Sequence, residues 1–426
     1  MLESLVTVNS VFDRVFVINL PNYWERRLKT MHQLRGWGID FEIFEAIYGY
    51  DDKYEQEFET YTKIPPGEID DNEYKEIELR RNGKMIDSRG AWGYLLTCQK
   101  ILEKSIQEGY KRILILDDDV LLHCDFEVKF SDFMNSIKSE WKIAKLGASQ
   151  YGWDSPRMTK IGESFAPYYY PGKVGTCGSF AVGLDYSIYQ EVLEELKKMR
   201  SSFDNLPLGN IYKKYKGDCF VSFPNVITPD VTQSIIRGGR DQFTQGEIMK
   251  WQMEYFPVFD GLPSISILVV LDERNIQSVL EKIHTAFKQN YENITWHVAY
   301  PEELMGDVKM LFSYKNVQCF SFGTKGGINE LLLNNIQKLP NEYIMVFPDG
   351  ELPQKDTIRD QLEEYLNMNT THKSSYIFEK NSFKSYAKKH MSIVNIFRER
   401  LKAFDELQKK MLQMERKLQL LQLKND

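Results

Sequence analysis

Residues 113–120 read Ile-Leu-Ile-Leu-Asp-Asp-Asp-Val, and this octet constrains the fold more than any other stretch of the chain. Four successive apolar β-formers predict a strand buried on both faces of a sheet. Asp117, Asp118 and Asp119 then fall at the strand's carboxyl end, where open α/β sheets bind their ligands. Three adjacent carboxylates repel one another, and a divalent cation relieves that repulsion. Hard oxygen donors suit Mg²⁺ or Mn²⁺, which keep positions open for substrate phosphates. On an extended chain Asp117 and Asp119 point the same way and Asp118 the other. Taken alone, the triplet reads equally well as a solvated acidic turn after a core strand.

The flanks place that octet in an alternating strand–helix pattern, as a doubly wound α/β sheet requires. Arg14 to Leu20 reads as a strand, Trp24 to Gly36 as a helix and Phe41 to Ala46 as a second strand. Gly90 to Glu108 is a helix leading into the acidic strand. Lys142 to Leu146 and Ser179 to Leu184 are further short strands. Tyr186 to Arg200 is a helix with Ile188, Val192, Leu193, Leu196 and Met199 on one face. Residues 51–86 are dense in charge and carry Pro65, Pro66 and Gly67, so a long, partly mobile insertion is expected there.

Composition narrows the function classes. A content of 42% hydrophobic and 13% aromatic residues supports real cores, and 426 residues suggest two or three domains. A net charge of −7 argues against a general nucleic-acid or anionic-membrane binder, yet permits nucleotide binding through a metal. No apolar run approaches the roughly 18 residues that span a bilayer. The first ten residues lack the basic start and apolar core of a signal peptide. Cys98, Cys124, Cys177, Cys219 and Cys319 are scattered, so they read as reduced, mostly buried thiols of a cytoplasmic protein. The six histidines are equally dispersed, which makes a zinc site an unfavoured reading.

Six short segments, in order, carry a family resemblance. They are Val17-Ile18-Asn19-Leu20 with Glu25-Arg26-Arg27; Phe41-Glu42-Ile43-Phe44-Glu45-Ala46 with Gly49; Gly90-Ala91-Trp92-Gly93-Tyr94-Leu95-Leu96-Thr97; Leu116-Asp117-Asp118-Asp119-Val120; Phe203-Asp204-Asn205-Leu206-Pro207; and Pro229 to Ser234. Together they make residues 1–256 resemble glycosyltransferase family 25, which includes lipopolysaccharide and collagen galactosyltransferases. Pro21-Asn22, Tyr48 and Thr97-Cys98 depart from the family pattern, and Asp117 stands where a Glu is usual. The resemblance implies a GT-A-like, Rossmann-like fold and an inverting transfer of a sugar. The donor would be a nucleoside-diphosphate sugar, expected to be UDP-linked, and the acceptor a glycan or protein hydroxyl.

Site residues follow from the same comparison. Asp117 and Asp119 are the expected ligands of Mn²⁺ or Mg²⁺. Asn19, Leu20, Arg26, Ala46, Gly90 and Asp118 are expected to line the donor site. Arg26 reads otherwise as a solvated helix charge, and Asn19 and Ala46 as plain strand-end residues. Asp204 is the expected base for the acceptor hydroxyl; its other reading is an N-cap for a helix near Gly209 to Tyr215. The Gly-rich stretch Gly172 to Phe180 suits close backbone approach to a ligand. Tyr168, Tyr169 and Tyr170 before it either stack on a sugar or merely pack.

Residues 257–383 form a second, smaller α/β unit in this reading. Its strands are Ser264 to Leu271, Thr295 to Ala299, Val317 to Phe322 and Tyr343 to Phe347; its helices end at Ala286 and cover Ile328 to Gln337. The order resembles the nucleotide-binding half of family 2 glycosyltransferases, with Gly326-Gly327 and Asp349-Gly350-Glu351. Leu331-Leu332 replaces that family's Arg-Asn pair, which points to a degenerate, structural domain. In residues 384–426 the heptad spacing of Phe397, Phe404, Leu407, Met411, Met414, Leu418 and Leu421 predicts a coiled coil and a homodimer or higher homo-oligomer. A catalytically inactive scaffold that assembles partners through this tail is the rival to the enzyme.

Overall fold

A computed structural model describes residues 5–153, 167–234, 238–256, 262–271, 273, 276–286, 291, 293–313, 317–322, 339, 341, 343–347, 357–367 and 377–379. The chain divides into two compact units, Met1–Asp260 and Gly261–Asp426. Among the described residues no helix is long and apolar enough to cross a membrane.

Unit 1 is built on a mixed sheet. In chain order its strands are β1 (Arg14–Asn19), β2 (Glu42–Glu45), β3 (Arg112–Asp117), β4 (Val120–Leu122), β5 (Ile143–Lys145), β6 (Ser149–Gln150), β7 (Tyr168–Tyr169), β8 (Thr176–Cys177), β9 (Ala181–Asp185), β10 (Cys219–Ser222) and β11 (Ile227–Pro229). The main sheet runs β2-β1-β3-β9-β5-β10-β7. β2, β1 and β3 are mutually parallel, and β5 and β10 are parallel to each other. β9 lies antiparallel between β3 and β5, and β7 antiparallel on the edge. The strand–helix alternation read above is thus present, in a sheet of mixed direction. An apolar run such as Ala181–Asp185, buried at every position, announces a core strand but not its direction.

The octet behaves as its pattern demands. Ile113, Leu114, Ile115 and Leu116 are all essentially inaccessible to solvent. The helix Arg89–Glu108 covers this face with Trp92, Leu95, Cys98, Ile101 and Leu102, joined by Ile188, Val192 and Leu196 from the segment Tyr186–Lys197. Ser88 Oγ caps the long helix by accepting from the Ala91 N–H, and Gly109 ends it in the left-handed conformation.

Residues 51–86 are not a loose insertion. They contain the helices Glu55–Lys63 and Asn72–Arg81. Tyr61 and Tyr74 point inward, and the Tyr61 hydroxyl accepts from the Ile86 N–H at 3.0 Å. Glu78 is fully buried and accepts from the Gly67 and Met85 N–H groups and from Lys84 Nζ at 3.3 Å. Charge density reads as solvation only when the charges face water, and here one of them organises the turn.

Unit 2 has β12 (Ile265–Val270), β13 (Ile294–Pro301), β14 (Val317–Phe322), β15 (Tyr343–Phe347) and β16 (Ile377–Glu379), in the order β14-β13-β12-β15-β16. The first four strands are parallel, and β16 closes one edge antiparallel. The helices Ile276–Ala286 and Thr357–Asn367 accompany them. Gly326-Gly327, the helix expected over Ile328 to Gln337, Asp349-Gly350-Glu351 and the heptad tail from 384 all lie outside the described residues.

The imidazole of His297 on β13 is fully buried, with Nε2 3.2 Å from Ser266 Oγ and Nδ1 without a partner among the described residues. Burial drives its pKa down from 6.5 to about 4. The folded state holds the ring neutral while the unfolded chain takes up the proton first. Its contribution is therefore present above pH 6.5 and lost as pH falls towards 4, by up to about 3 kcal/mol. Hydrogen exchange of residues 294–301, corrected for intrinsic rate, is expected to lose protection across that window. His297→Phe is expected to flatten the loss; an unchanged pH dependence in the variant would acquit His297.

Candidate active site

The parallel register of β1 and β3 pairs Ile18 with Asp117, which sets Asn19 beside the acidic triplet. Asn19 Nδ2 donates to Asp118 Oδ2 at 2.6 Å and to the Tyr23 carbonyl at 3.1 Å. Its Oδ1 accepts from Arg27 Nη1 at 3.1 Å. The helix Trp24–Gly36 then brings Arg26 back over the strand end. Its Nη2 lies 2.5 Å from Asp118 Oδ1 and 2.6 Å from Asp119 Oδ2. One turn on, Thr30 Oγ1 donates to the Asp118 carbonyl and Gln33 Nε2 to the Val120 carbonyl. With a side chain only 14% exposed, Arg26 is not a solvated helix charge.

The chain turns at Asp118 and Asp119 instead of staying extended. The predicted alternation of side chains fails for that reason. Asp118 and Asp119 converge on Arg26, whereas Asp117 Oδ1 accepts from Tyr94 Oη at 2.8 Å. Burial raises the pKa of all three carboxyls. It lifts Asp117 to about 6 against the Tyr94 hydrogen bond, and Asp118 against Arg26 and Asn19. Asp119 goes well above the ordinary carboxylate range despite Arg26, and its Oδ1 is buried with no hydrogen-bond partner among the described residues. One guanidinium serves two of these carboxylates and a neutral phenol the third. The cluster is short of positive charge, and carboxylate oxygens are the hard donors that Mg²⁺ or Mn²⁺ prefer.

β11 pairs antiparallel with β4, Pro229 opposite Val120, and carries the Pro229 to Ser234 segment to the same place. The Asp230 N–H donates to the Asp119 carbonyl at 2.7 Å, and Asp230 and Gln233 line a small cleft with Arg26, Asp118 and Asp119. A larger open cleft, of about 910 Å³, lies at the carboxyl ends of β1 and β2. Leu20, Tyr23, Ala46, Tyr48 and Asp51 are among its walls. The turn carrying Ile47 to Gly49 is fixed by close packing. A Cβ on Gly49 would sit 1.8 Å from the Arg89 carbonyl oxygen, and one on Gly93 would sit 2.4 Å from that of Ile47. Thr97 Oγ1 accepts from the Ile47 N–H, so this departure from the family pattern serves the cleft wall. Gly90 lies in the first turn of the helix Arg89–Glu108 and lines neither cleft.

Asp204 is buried ahead of the helix Leu206–Lys214, but Asn205 occupies the N-cap position. Asp204 Oδ2 accepts instead from the Gly178 N–H at 2.6 Å, inside the Gly-rich stretch. Its negative charge reaches Asp117 and adds to the rise in that carboxyl's pKa. Tyr169 is buried with its hydroxyl on Gln150 Oε1, and Tyr168 and Tyr170 pack on Phe220 at 5.1 and 5.4 Å. The three tyrosines form an edge strand and its packing.

Two residues of this arrangement carry no role in the sequence reading. Tyr94, which holds Asp117, looks like any helix tyrosine. Lys145 is fully buried on β5 with its Nζ on the Cys177 carbonyl, yet its strand reads as amphipathic. None of the five cysteines is in a disulfide, but only Cys98 and Cys219 are buried, where most were expected to be. Among the described residues the only three metal-binding side chains drawn within 4.8 Å of one another are His123, Cys124 and Asp125. His123 Nδ1 already accepts from the Asp125 N–H at 3.0 Å there.

Sequence comparison bears on this site. Procollagen galactosyltransferase 1-B of Xenopus laevis is 26% identical over 148 residues, 34% of this chain and 23% of the relative. Procollagen galactosyltransferase 1-A of the same species is 24% identical over 164 residues, 36% of this chain and 25% of the relative. The match thus spans about a quarter of the length of these curated relatives. The apo form of the glycosyltransferase GlyE of Streptococcus pneumoniae TIGR4 aligns over 92% of this chain and 98% of its own, at 10% identity and a TM-score of 0.28. The mannosyltransferase PcManGT of Pyrobaculum calidifontis, solved with GDP-Man and Mn²⁺, covers 25% of this chain and 35% of its own at 13% identity and a TM-score of 0.21. Residues 12–166, which hold β1, β2, Arg26 and the whole acidic triplet, match the sequence model of glycosyltransferase family 25 (LPS biosynthesis protein).

Proposed function

We propose that unit 1 is a metal-dependent inverting hexosyltransferase. It would take a galactose, glucose or related sugar from a nucleoside diphosphate, most simply uridine diphosphate, to a glycan or protein hydroxyl. The observation that carries this reading is the buried carboxylate cluster at the end of β3, with Asp119 Oδ1 unpartnered. A family match covering the same residues supports it.

In the proposed reaction the acceptor oxygen attacks the anomeric carbon from the face opposite the diphosphate. The new carbon–oxygen bond forms as the bond to the diphosphate breaks, and that electron pair leaves on the phosphate oxygen. Asp204 takes the acceptor's proton. Asp117 and Asp119 would hold Mn²⁺ or Mg²⁺, which when bound supplies charge stabilisation to the leaving diphosphate. Arg26 adds a fixed positive charge beside them. Asn19 orients Asp118, and Leu20, Ala46 and the turn behind Ile47 shape the cleft for base and ribose.

Calorimetry with uridine, guanosine and cytidine diphosphate sugars, in Mn²⁺ and in chelator, tests the proposal. At least one donor is expected to bind only with the metal present. Metal-independent binding, or none across the panel, would refute it.

A further inference from the structure

The peptide bond between Cys177 and Gly178 stands between two buried ionisable side chains. Its carbonyl accepts from Lys145 Nζ at 2.9 Å, and its N–H donates to Asp204 Oδ2 at 2.6 Å. In a trans peptide these two groups point opposite ways. The ammonium and the carboxylate therefore sit at the two poles of one amide dipole, each in its favourable place. Hydrogen bonds in such a chain polarise one another, the more so away from water.

The surroundings show that this arrangement is built. Lys145 lies in mid-sheet, opposite Val182 on β9 and Val221 on β10, and is 0% exposed. A buried ammonium is costly unless it finds a counter-charge. Burial pulls its pKa down to about 8, and the negative charge of Asp204 works against that fall. Gly178 has φ +85°, and a Cβ there would meet the Phe180 ring at 2.5 Å. Only glycine lets the peptide adopt this orientation without strain. Asp117, Tyr212, Tyr74 and Cys98 also lie within electrostatic reach of Asp204, and Cys177 within that of Lys145. Among the described residues Asp204 Oδ1 has only a long contact of 3.5 Å with Asn205 Nδ2. One carboxylate oxygen is thus fixed and the other left available.

We propose that Lys145 is a positioning residue for Asp204, acting through the Cys177–Gly178 peptide so that Oδ1 faces the acceptor hydroxyl. The proposal rests on the reading of Asp204 as the base. A lysine in this role does not touch substrate. It holds the amide that holds the carboxylate.

The test has two arms on the full chain. First, thermal unfolding without substrate is measured for Lys145→Met, Asp204→Asn and the double variant. Asp204→Asn strands the buried ammonium only where Lys145 is present, so the melting shifts are expected to be non-additive by at least about 2–4 °C. Additive shifts would overturn the coupling. Second, Lys145→Met is assayed with UDP-galactose and Mn²⁺, or with whichever donor the panel shows to bind. Its kcat is expected to fall by up to about 100-fold with KM for the donor within about twofold. Its melting temperature is expected to fall by a few degrees, because the buried Cys177 carbonyl and the Asp204 carboxylate lose their partner, so kcat is read per folded protein. Unchanged kcat, or loss of kcat that simply tracks loss of folded protein, would overturn the positioning role. If no donor is turned over, the reading of Asp204 as base fails by itself while the thermal cycle still decides the coupling.

Discussion

Asp119→Asn is expected to abolish the Mn²⁺-dependent part of nucleotide-sugar binding while leaving unit 1 folded. The amide keeps the shape of the side chain but removes the charge and one of the two oxygens a cation would use. Loss of a residue that merely supports a metal ligand costs roughly 10- to 100-fold in affinity; loss of a ligand should exceed that. Folding should survive because Asp119 is not a stabilising ion pair in the ordinary sense. Arg26 already has Asp118 Oδ1 at 2.5 Å, and Asp119 Oδ1 is buried and unpartnered. Replacing a carboxylate that burial disfavours by a neutral isostere leaves less uncompensated charge in the interior. Calorimetry with metal and donor, paired with thermal unfolding, separates the outcomes. Unchanged metal-dependent affinity would refute the metal role, and a folded variant without binding would support it.

The legible parts of this fold are those where burial forces an unmistakable pattern. β1, β3, β12 and β15 lie in the middle of their sheets, so both faces must be apolar and no alternation interrupts them. Strand direction is not written in that pattern, and β9 looks the same whichever way it runs. The helices at 55–63 and 72–81 were hidden by their own charge, because a buried Glu78 with three partners is indistinguishable in sequence from a solvated one. The site divides along the same line. Asp117 to Asp119 announce themselves by being adjacent. Their partners do not: Arg26 meets Asp119 across 93 residues and Tyr94 meets Asp117 across 23. Those long-range contacts also decide the turn at Asp118, which local propensity cannot foresee. Lys145 is the extreme case, since a lone lysine in a short strand reads as its exposed side.

These contacts give the acidic triplet an internal logic. Asp118 is the structural member: its carboxylate takes Asn19 and Arg26, and its carbonyl takes Thr30. Asp117 and Asp119 are the members left with capacity, one braced by a phenol and one by a shared guanidinium. A site that fully satisfied all three carboxylates would have nothing left to offer a ligand. Incomplete satisfaction inside a low-dielectric cluster is costly for folding, which is why the proposed metal site is placed on Asp117 and Asp119.

Asp204→Asn is expected to separate turnover from donor binding. The side chain lies at the far end of the Cys177–Gly178 amide from Lys145, and no described hydrogen bond joins it to the residues proposed to bind the donor at β1, β2 and Arg26, though its charge reaches Asp117. An amide at this position can still accept from the Gly178 N–H through its oxygen, which preserves the local backbone. It cannot take a proton from the acceptor hydroxyl at neutral pH. General-base assistance is typically worth about 10² to 10⁴ in rate, and a loss of that size in kcat is expected for transfer. Asp204→Ala would test the same proton transfer less cleanly, because it also leaves the Gly178 N–H unpaired in a buried place. Donor affinity measured by calorimetry and transfer measured by nucleoside-diphosphate release make the comparison. Transfer at near the parent rate would reduce Asp204 to an anchor for the Gly-rich stretch. Loss of donor affinity in step with turnover would move it into the binding site instead.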